Sequence, residues 1–267
     1  MFYFPFVLFL FFAHEVLSET TLKGNFIQGG LVFGVTNPKN YVTLDGRPVR
    51  ISDGGHFIFG FSRDSGPETE LIIHGPRGST KKQSFKIKRR KYRVQRIDGL
   101  PRHMVTPPKD VLSRIRKEND KIREARMNDS GEPHFMSGFI MPAIGRISGV
   151  YGSQRILNGK PKQPHFGIDI AAPSGTKVVA PADGVVVLAE TDFYYSGGTV
   201  ILDHGHGLTS AFLHLKELFV KKGDFLAKSD VLGSIGDTGR VTGPHLDWRV
   251  NWFERRIDPG LLVKPNN

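Results

Sequence analysis

The sequence predicts a mainly β chain. It has a small β-sandwich-like module at 22–97, a linking helix at 107–128 and a second β-rich domain at 138–263. Three observations carry this prediction. Short runs of β-branched and aromatic residues, punctuated by clusters of Gly, Asp, Asn and Pro, recur on both sides of the chain's middle. Between them, "TPPKDVLSRIRKENDKIREARMND" changes to helical spacing. A length of 267 residues accommodates two modest domains with buried cores.

Taken in order, the chain opens with "MFYFPFVLFLFFAHEVLSET", an apolar run from Phe2 to Ala13 followed by small residues up to Ser18. About a dozen apolar residues is the length of a signal-peptide core and is short for a bilayer span. Residues 1–18 are therefore expected to be a signal peptide, although they carry no Lys or Arg. Export to the periplasm or cell envelope follows, and no later segment is apolar enough to supply a transmembrane helix to the mature chain. Cysteine is absent, which excludes a disulfide framework, a thiol nucleophile and a thiolate metal ligand. The formal net charge of +11 concentrates in "KKQSFKIKRRKYRVQR", Lys81–Arg96. In an exported protein such a run fits anionic envelope polymers as partners, not nucleic acid. It fits equally a solvated basic face that blunts a sheet edge.

The strands of the first module read as "FIQGGLVFGV", "YVTLDGRPVRI", "HFIFGF" and "ELIIHG", with hairpin connections at "LDGRPV" and "SDGGHF". His56 and His74 fall in these strands without companion ligands, so the module reads as targeting, spacing or inhibitory. In the linking helix Val111, Ile115, Ile122 and Ala125 supply a narrow apolar stripe, and its prolines suit a helix start.

Half of the ten histidines lie in the second domain: His165, His204, His206, His214 and His245. In "PHFGIDIAAPSGT", His165 and Asp169 are four apart. On a straight strand they would sit roughly 13 Å from each other, so joint metal binding requires a bend, which Gly167 permits. In "HLDWRVNW", His245, Asp247, Arg249 and Asn251 alternate with apolar residues as on a strand, and His245 and Asp247 project the same way. His214 in "SAFLHLKEL" interrupts an apolar run. His204 and His206 in "LDHGHGL" read as an exposed, Gly-rich hairpin. Each motif is weak alone. Together, one histidine, two carboxylates and two further histidines make a plausible zinc hydrolase site with an open position.

In this order, "HFGIDIAAPSGTKVVAPADGVVV", "FLHL" and "IGDTGRVTGPHLDW" resemble the lysostaphin/LytM-type zinc metallopeptidases, which cut peptide bonds in peptidoglycan. The resemblance runs from about Ile147 to Val250 and implies a β-rich two-sheet groove. It implies that His165 and Asp169 bind zinc and that His214 and His245 are catalytic. The third ligand position, a histidine in the family's HxH motif, is held here by Asp247. Aspartate is a legitimate zinc ligand, but a second carboxylate makes the ion less positive and loosens the preference for zinc over other divalent metals. The expectation is a metal-dependent endopeptidase acting on the stem or cross-link peptides of peptidoglycan. The alternative is an inactive relative that binds cell wall or regulates another wall hydrolase.

Overall fold

The computed structural model describes residues 19–99 and 105–263. The expected signal peptide lies outside the described residues. The first part contains β1 (Thr21–Gly24), β2 (Leu31–Val35), β3 (Tyr41–Leu44), β4 (Arg47–Val49), β5 (His56–Gly60), β6 (Glu68–His74) and β7 (Thr80–Lys86). They form two antiparallel sheets, one ordered β1-β2-β5 and the other β4-β3-β6-β7. Asp45 and Gly46 both take positive φ in the β3–β4 turn, the conformation that a tight hairpin demands of an Asp-Gly pair. Period-two alternation sets the faces. In β6, Thr69, Leu71 and Ile73 point inward and Glu68 outward. The edge strand β7 exposes Lys81, Lys82 and Lys86, so this half of the basic run is a solvated sheet edge.

The linking helix α1 spans Leu112–Arg126. It begins later than expected: Pro107 and Pro108 lie in irregular chain ahead of it, as the restricted backbone around proline favours. Ile115 and Ala125 are buried, and Ile122 packs with Ala125 against Leu188, Phe193, Ile201, Ala211 and Leu213.

The second part begins with β8 (Val94–Ile97), which pairs in parallel with β10 (Gln154–Leu157); β10 in turn pairs with β11 (Lys160–Pro161). The large sheet contains β9 (Arg146–Gly149), β12 (Ile168–Ala171), β13 (Lys177–Val179), β14 (Gly184–Phe193) and β15 (Gly197–Asp203). It also contains β16 (Leu208–Leu218), β17 (Phe225–Leu226), β18 (Val231–Ile235), β19 (His245–Trp252) and β20 (Arg255–Ile257). Its main path is β17-β14-β15-β16-β19-β12-β9. The sheet forks at β16. Residues Leu208–Leu213 of that strand pair with β19, and Leu215–Leu218 pair with β18, which leads on to β13. His214 sits at the fork.

One continuous core joins the two parts. Leu31, Phe57 and Phe61 belong to the same buried cluster as Phe135, Trp248 and Ile257. Polar ties cross the junction as well: Arg90 reaches Asp258 at 2.7 Å, Arg63 donates to the Gly152 carbonyl and Arg255 donates to the Gly60 carbonyl. Phe135, 1 % exposed, lies 6.0 Å from the Phe33 ring and 5.2 Å from the His206 ring. Phe135→Ala is therefore expected to cost about 3–5 kcal/mol. Because the core is shared, wild type and variant should each unfold in a single denaturant transition followed by circular dichroism and Trp fluorescence. Separate transitions for the two probes would contradict a common core.

Candidate metal centre

Strand register assembles the acidic half of the site. β12 and β19 run antiparallel with Asp169 directly opposite Asp247, so the two side chains project from neighbouring strands on the same face. His165 reaches them from the loop before β12. Its backbone is fixed by hydrogen bonds with Ser153 and Gly152, and the chain bends at Gly167. The bend expected of this glycine is present, and its missing side chain serves a second purpose. A Cβ at Gly167 would lie 2.5 Å from Asp247 Oδ1, and one at Gly149 would lie 2.1 Å from Asp169 Oδ2. Both carboxylates occupy space that any larger residue would fill.

His165, Asp169 and Asp247 are all buried, and each offers one ligand atom within 4.8 Å of the other two. His165 Nε2 lies 3.1 Å from Asp169 Oδ1, and neither atom has a hydrogen-bond partner among the described residues. Buried polar atoms are rarely left this way. An imidazole nitrogen and carboxylate oxygens converging in this way suit a divalent cation, and nitrogen and oxygen ligands suit zinc. The residues present fit the ion that the motifs imply.

The other two histidines flank this group. His214 takes positive φ, 67°, at the fork in β16, where the register slips on both sides of it. Its backbone N–H donates to Ser196 and its carbonyl accepts from Gly236, whose own carbonyl accepts from His245 N–H. This chain of bonds ties the end of β18 to the start of β19 and brings the two imidazoles to 4.9 Å between ring centroids. Nδ1 of His214 contacts the Thr238 carbonyl at 2.9 Å, and Nδ1 of His245 contacts the Gly243 carbonyl at 2.8 Å. A carbonyl only accepts, so both Nδ1 atoms carry protons. Burial pushes His214 down to about 4, so its ring is neutral near pH 7. His245 Nε2 lies 3.9 Å from Asp169 Oδ1. All five expected residues are thus brought together.

Several residues of the site were not singled out from the sequence. Arg249 donates from Nε to both Asp247 oxygens, at 3.0 and 3.1 Å, and from Nη2 to Oδ2 at 2.5 Å. Burial opposes the Asp247 charge, but Arg249 and His165 together hold its carboxyl well below the usual carboxylate range. Arg155 contacts Asp169 Oδ2 at 3.2 Å. Arg249 was within reach of sequence reasoning, since it shares the polar face of β19 two residues on. Arg155 was not, because only the fold brings β10 beside β12. The site opens into a cavity of about 870 Å³ whose lining includes Lys162, Arg126, Arg240 and Arg256. Burial, and secondarily the neighbouring Arg249, push Arg256 down to about 10.

His204 and His206 correct the expectation of an exposed hairpin: they are 0 % and 1 % exposed. The segment after α1 folds over their turn. Ser130 accepts from the His206 N–H, Phe135 donates to the His204 carbonyl, and Asn128 bonds Asp203. His204 donates from Nδ1 to the Asp183 carbonyl and accepts at Nε2 from Ser210, so it is a satisfied core histidine. Burial pushes its pKa down to about 4. The unfolded chain, titrating near 6.5, takes up this proton first as pH falls. The contribution of His204 is therefore present above pH 6.5 and is lost progressively toward pH 4. Urea unfolding should give a free energy lower by about 2–3 kcal/mol at pH 4.5 than at pH 7 from this residue, and His204→Gln should reduce the difference. Equal slopes in both proteins would contradict the assignment.

Comparisons with known proteins converge on this region. The model for peptidase family M23 matches residues 163–259, which include all five residues of the centre. Peptidoglycan DD-endopeptidase ShyA of Vibrio cholerae is 42% identical over 87 residues, 33% of this chain and 20% of the relative. DD-carboxypeptidase/endopeptidase Mpg of Neisseria meningitidis is 36% identical over 101 residues, 38% of this chain and 23% of the relative. The chain therefore spans about a fifth to a quarter of the length of these curated relatives. A Pseudomonas aeruginosa crystal structure described as peptidase M23 is 28% identical and superposes with a TM-score of 0.68. It covers 90% of this chain and 96% of that one, so the likeness extends beyond the matched segment. Residues 163–259 are thus the segment of this chain that matches peptidase family M23.

Proposed function

We propose that the chain is an exported, metal-dependent endopeptidase that hydrolyses peptide bonds in the stem or cross-link peptides of peptidoglycan. The observation that carries this reading is the buried group of His165, Asp169 and Asp247, in which His165 Nε2 and Asp169 Oδ1 lack hydrogen-bond partners among the described residues, beside two imidazoles held at Nδ1 by backbone carbonyls. The name of ShyA, a peptidoglycan DD-endopeptidase, supports the substrate, and that of Mpg supports an endopeptidase. His165, Asp169 and Asp247 would hold zinc or a similar divalent ion. When bound, it supplies Lewis-acid polarisation of the scissile carbonyl and makes water a stronger acid.

The chain's own groups handle the protons. His245, the more open of the two imidazoles at 20 % side-chain exposure, takes the proton of the attacking water on Nε2. It then passes that proton to the leaving amine. His214, neutral and anchored through Nδ1–H, accepts at Nε2 a hydrogen bond from the water or the amine and so fixes its orientation. The basic lining of the cavity attracts the carboxylates of wall peptides. Among the described residues no helix is long and apolar enough to cross a membrane.

Isolated peptidoglycan sacculi incubated with the purified protein should release peptide fragments detectable by mass spectrometry. Release should stop with a chelator and return with zinc. His245→Ala and His214→Ala should each lower turnover by about 10²–10⁴-fold with bound metal retained, whereas His165→Ala should lose both. Chelator-insensitive release, or equal loss of metal in all three variants, would contradict these roles.

A further inference from the structure

The proposed site carries two buried carboxylates where two histidines and one carboxylate would make the same three-ligand set. Counted formally, a divalent ion held by His165, Asp169 and Asp247 is neutral, whereas two histidines and one aspartate would leave it one positive charge. A less positive ion is a weaker Lewis acid. Arg249 stands where this deficit arises. It lies on the same face of β19 as Asp247, and its guanidinium grips both carboxylate oxygens.

The grip does not use up the carboxylate. An ionised aspartate offers about four lone-pair positions, and Arg249 places two of its contacts on Oδ2 and one on Oδ1. Oδ1 is also the oxygen that Gly167 leaves uncovered. Asp247 is 2 % exposed, so without a counter-charge its burial would be costly. Arg249 is held charged by the carboxylate it neutralises: burial opposes its charge, but Asp247 raises its pKa.

We propose that Arg249 sets the charge of the centre so that aspartate can serve as the third ligand: it returns to the centre the positive charge that Asp247 removes. This rests on the metal-dependent reading above and adds to it a named residue whose charge the ion should feel.

Five proteins test the inference by zinc affinity, measured in competition with a chromophoric chelator and therefore independent of hydrolysis. Wild type and Asp247→His/Arg249→Met carry the same formal charge when loaded and should agree within about threefold. Asp247→His alone, which leaves Arg249 beside a neutral ligand, should bind zinc ~tenfold or more weakly. Arg249→Met alone should bind ~tenfold or more tightly, while Arg249→Lys, which keeps the charge, should stay near wild type. If Arg249→Met fails to fold, the comparison of Asp247→His with the double variant still decides, because neither leaves a carboxylate buried without its pair. Affinities that sort by residue 247 alone, whatever stands at 249, would overturn the inference and leave the metal-dependent reading intact. A wild type that binds no divalent ion would overturn both.

Discussion

Two carboxylates are buried side by side in this protein, and the surrounding structure is organised around that cost. Strand pairing sets Asp169 opposite Asp247, and each is nearly excluded from water. Like charges so placed repel, and burial raises the penalty. Arg155 and Arg249 each neutralise one of them, and Gly149 and Gly167 clear the volume they occupy. The atoms left over, Asp169 Oδ1 and His165 Nε2, lie 3.1 Å apart with no other hydrogen-bond partner among the described residues. These are the atoms that a divalent cation would take up in the proposed site.

The fork in β16 gives the centre its second wall. A strand that changed partners without strain would leave His214 pointing along the sheet. The left-handed conformation at this residue instead lets one strand serve β19 before it and β18 after it. Non-glycine residues seldom adopt this conformation and do so most often at functional positions. The Thr238 and Gly243 carbonyls then select the tautomers of the two imidazoles. The loops around the fork thus determine proton chemistry through backbone atoms that no residue identity reveals.

Much of this was legible in the sequence, for reasons that differ by residue. The β-rich character and the two-sheet first module follow from alternation in stretches such as "ELIIHG" and from the Asp45-Gly46 turn. His165, Asp169, His214, His245 and Asp247 were found because their order and spacing are distinctive. Gly167 was identified as a bend because the metal reading demanded one. The burial of His204 and His206 was not legible. It depends on residues 128–135 folding back over a distant turn, and a Gly-rich pair of histidines carries no mark of what covers it. Arg155 was hidden for the same reason, since its partner is fourteen residues away and on a strand of a different sheet.

The most direct measurement is anomalous diffraction from crystals grown with zinc, collected on both sides of the zinc absorption edge. The account predicts one strong peak bonded to His165, Asp169 and Asp247, with His214 and His245 nearby but not coordinated and Arg249 still on the second oxygen of Asp247. A peak coordinated by His245 in place of Asp247, or no peak at these residues at saturating zinc, would contradict it.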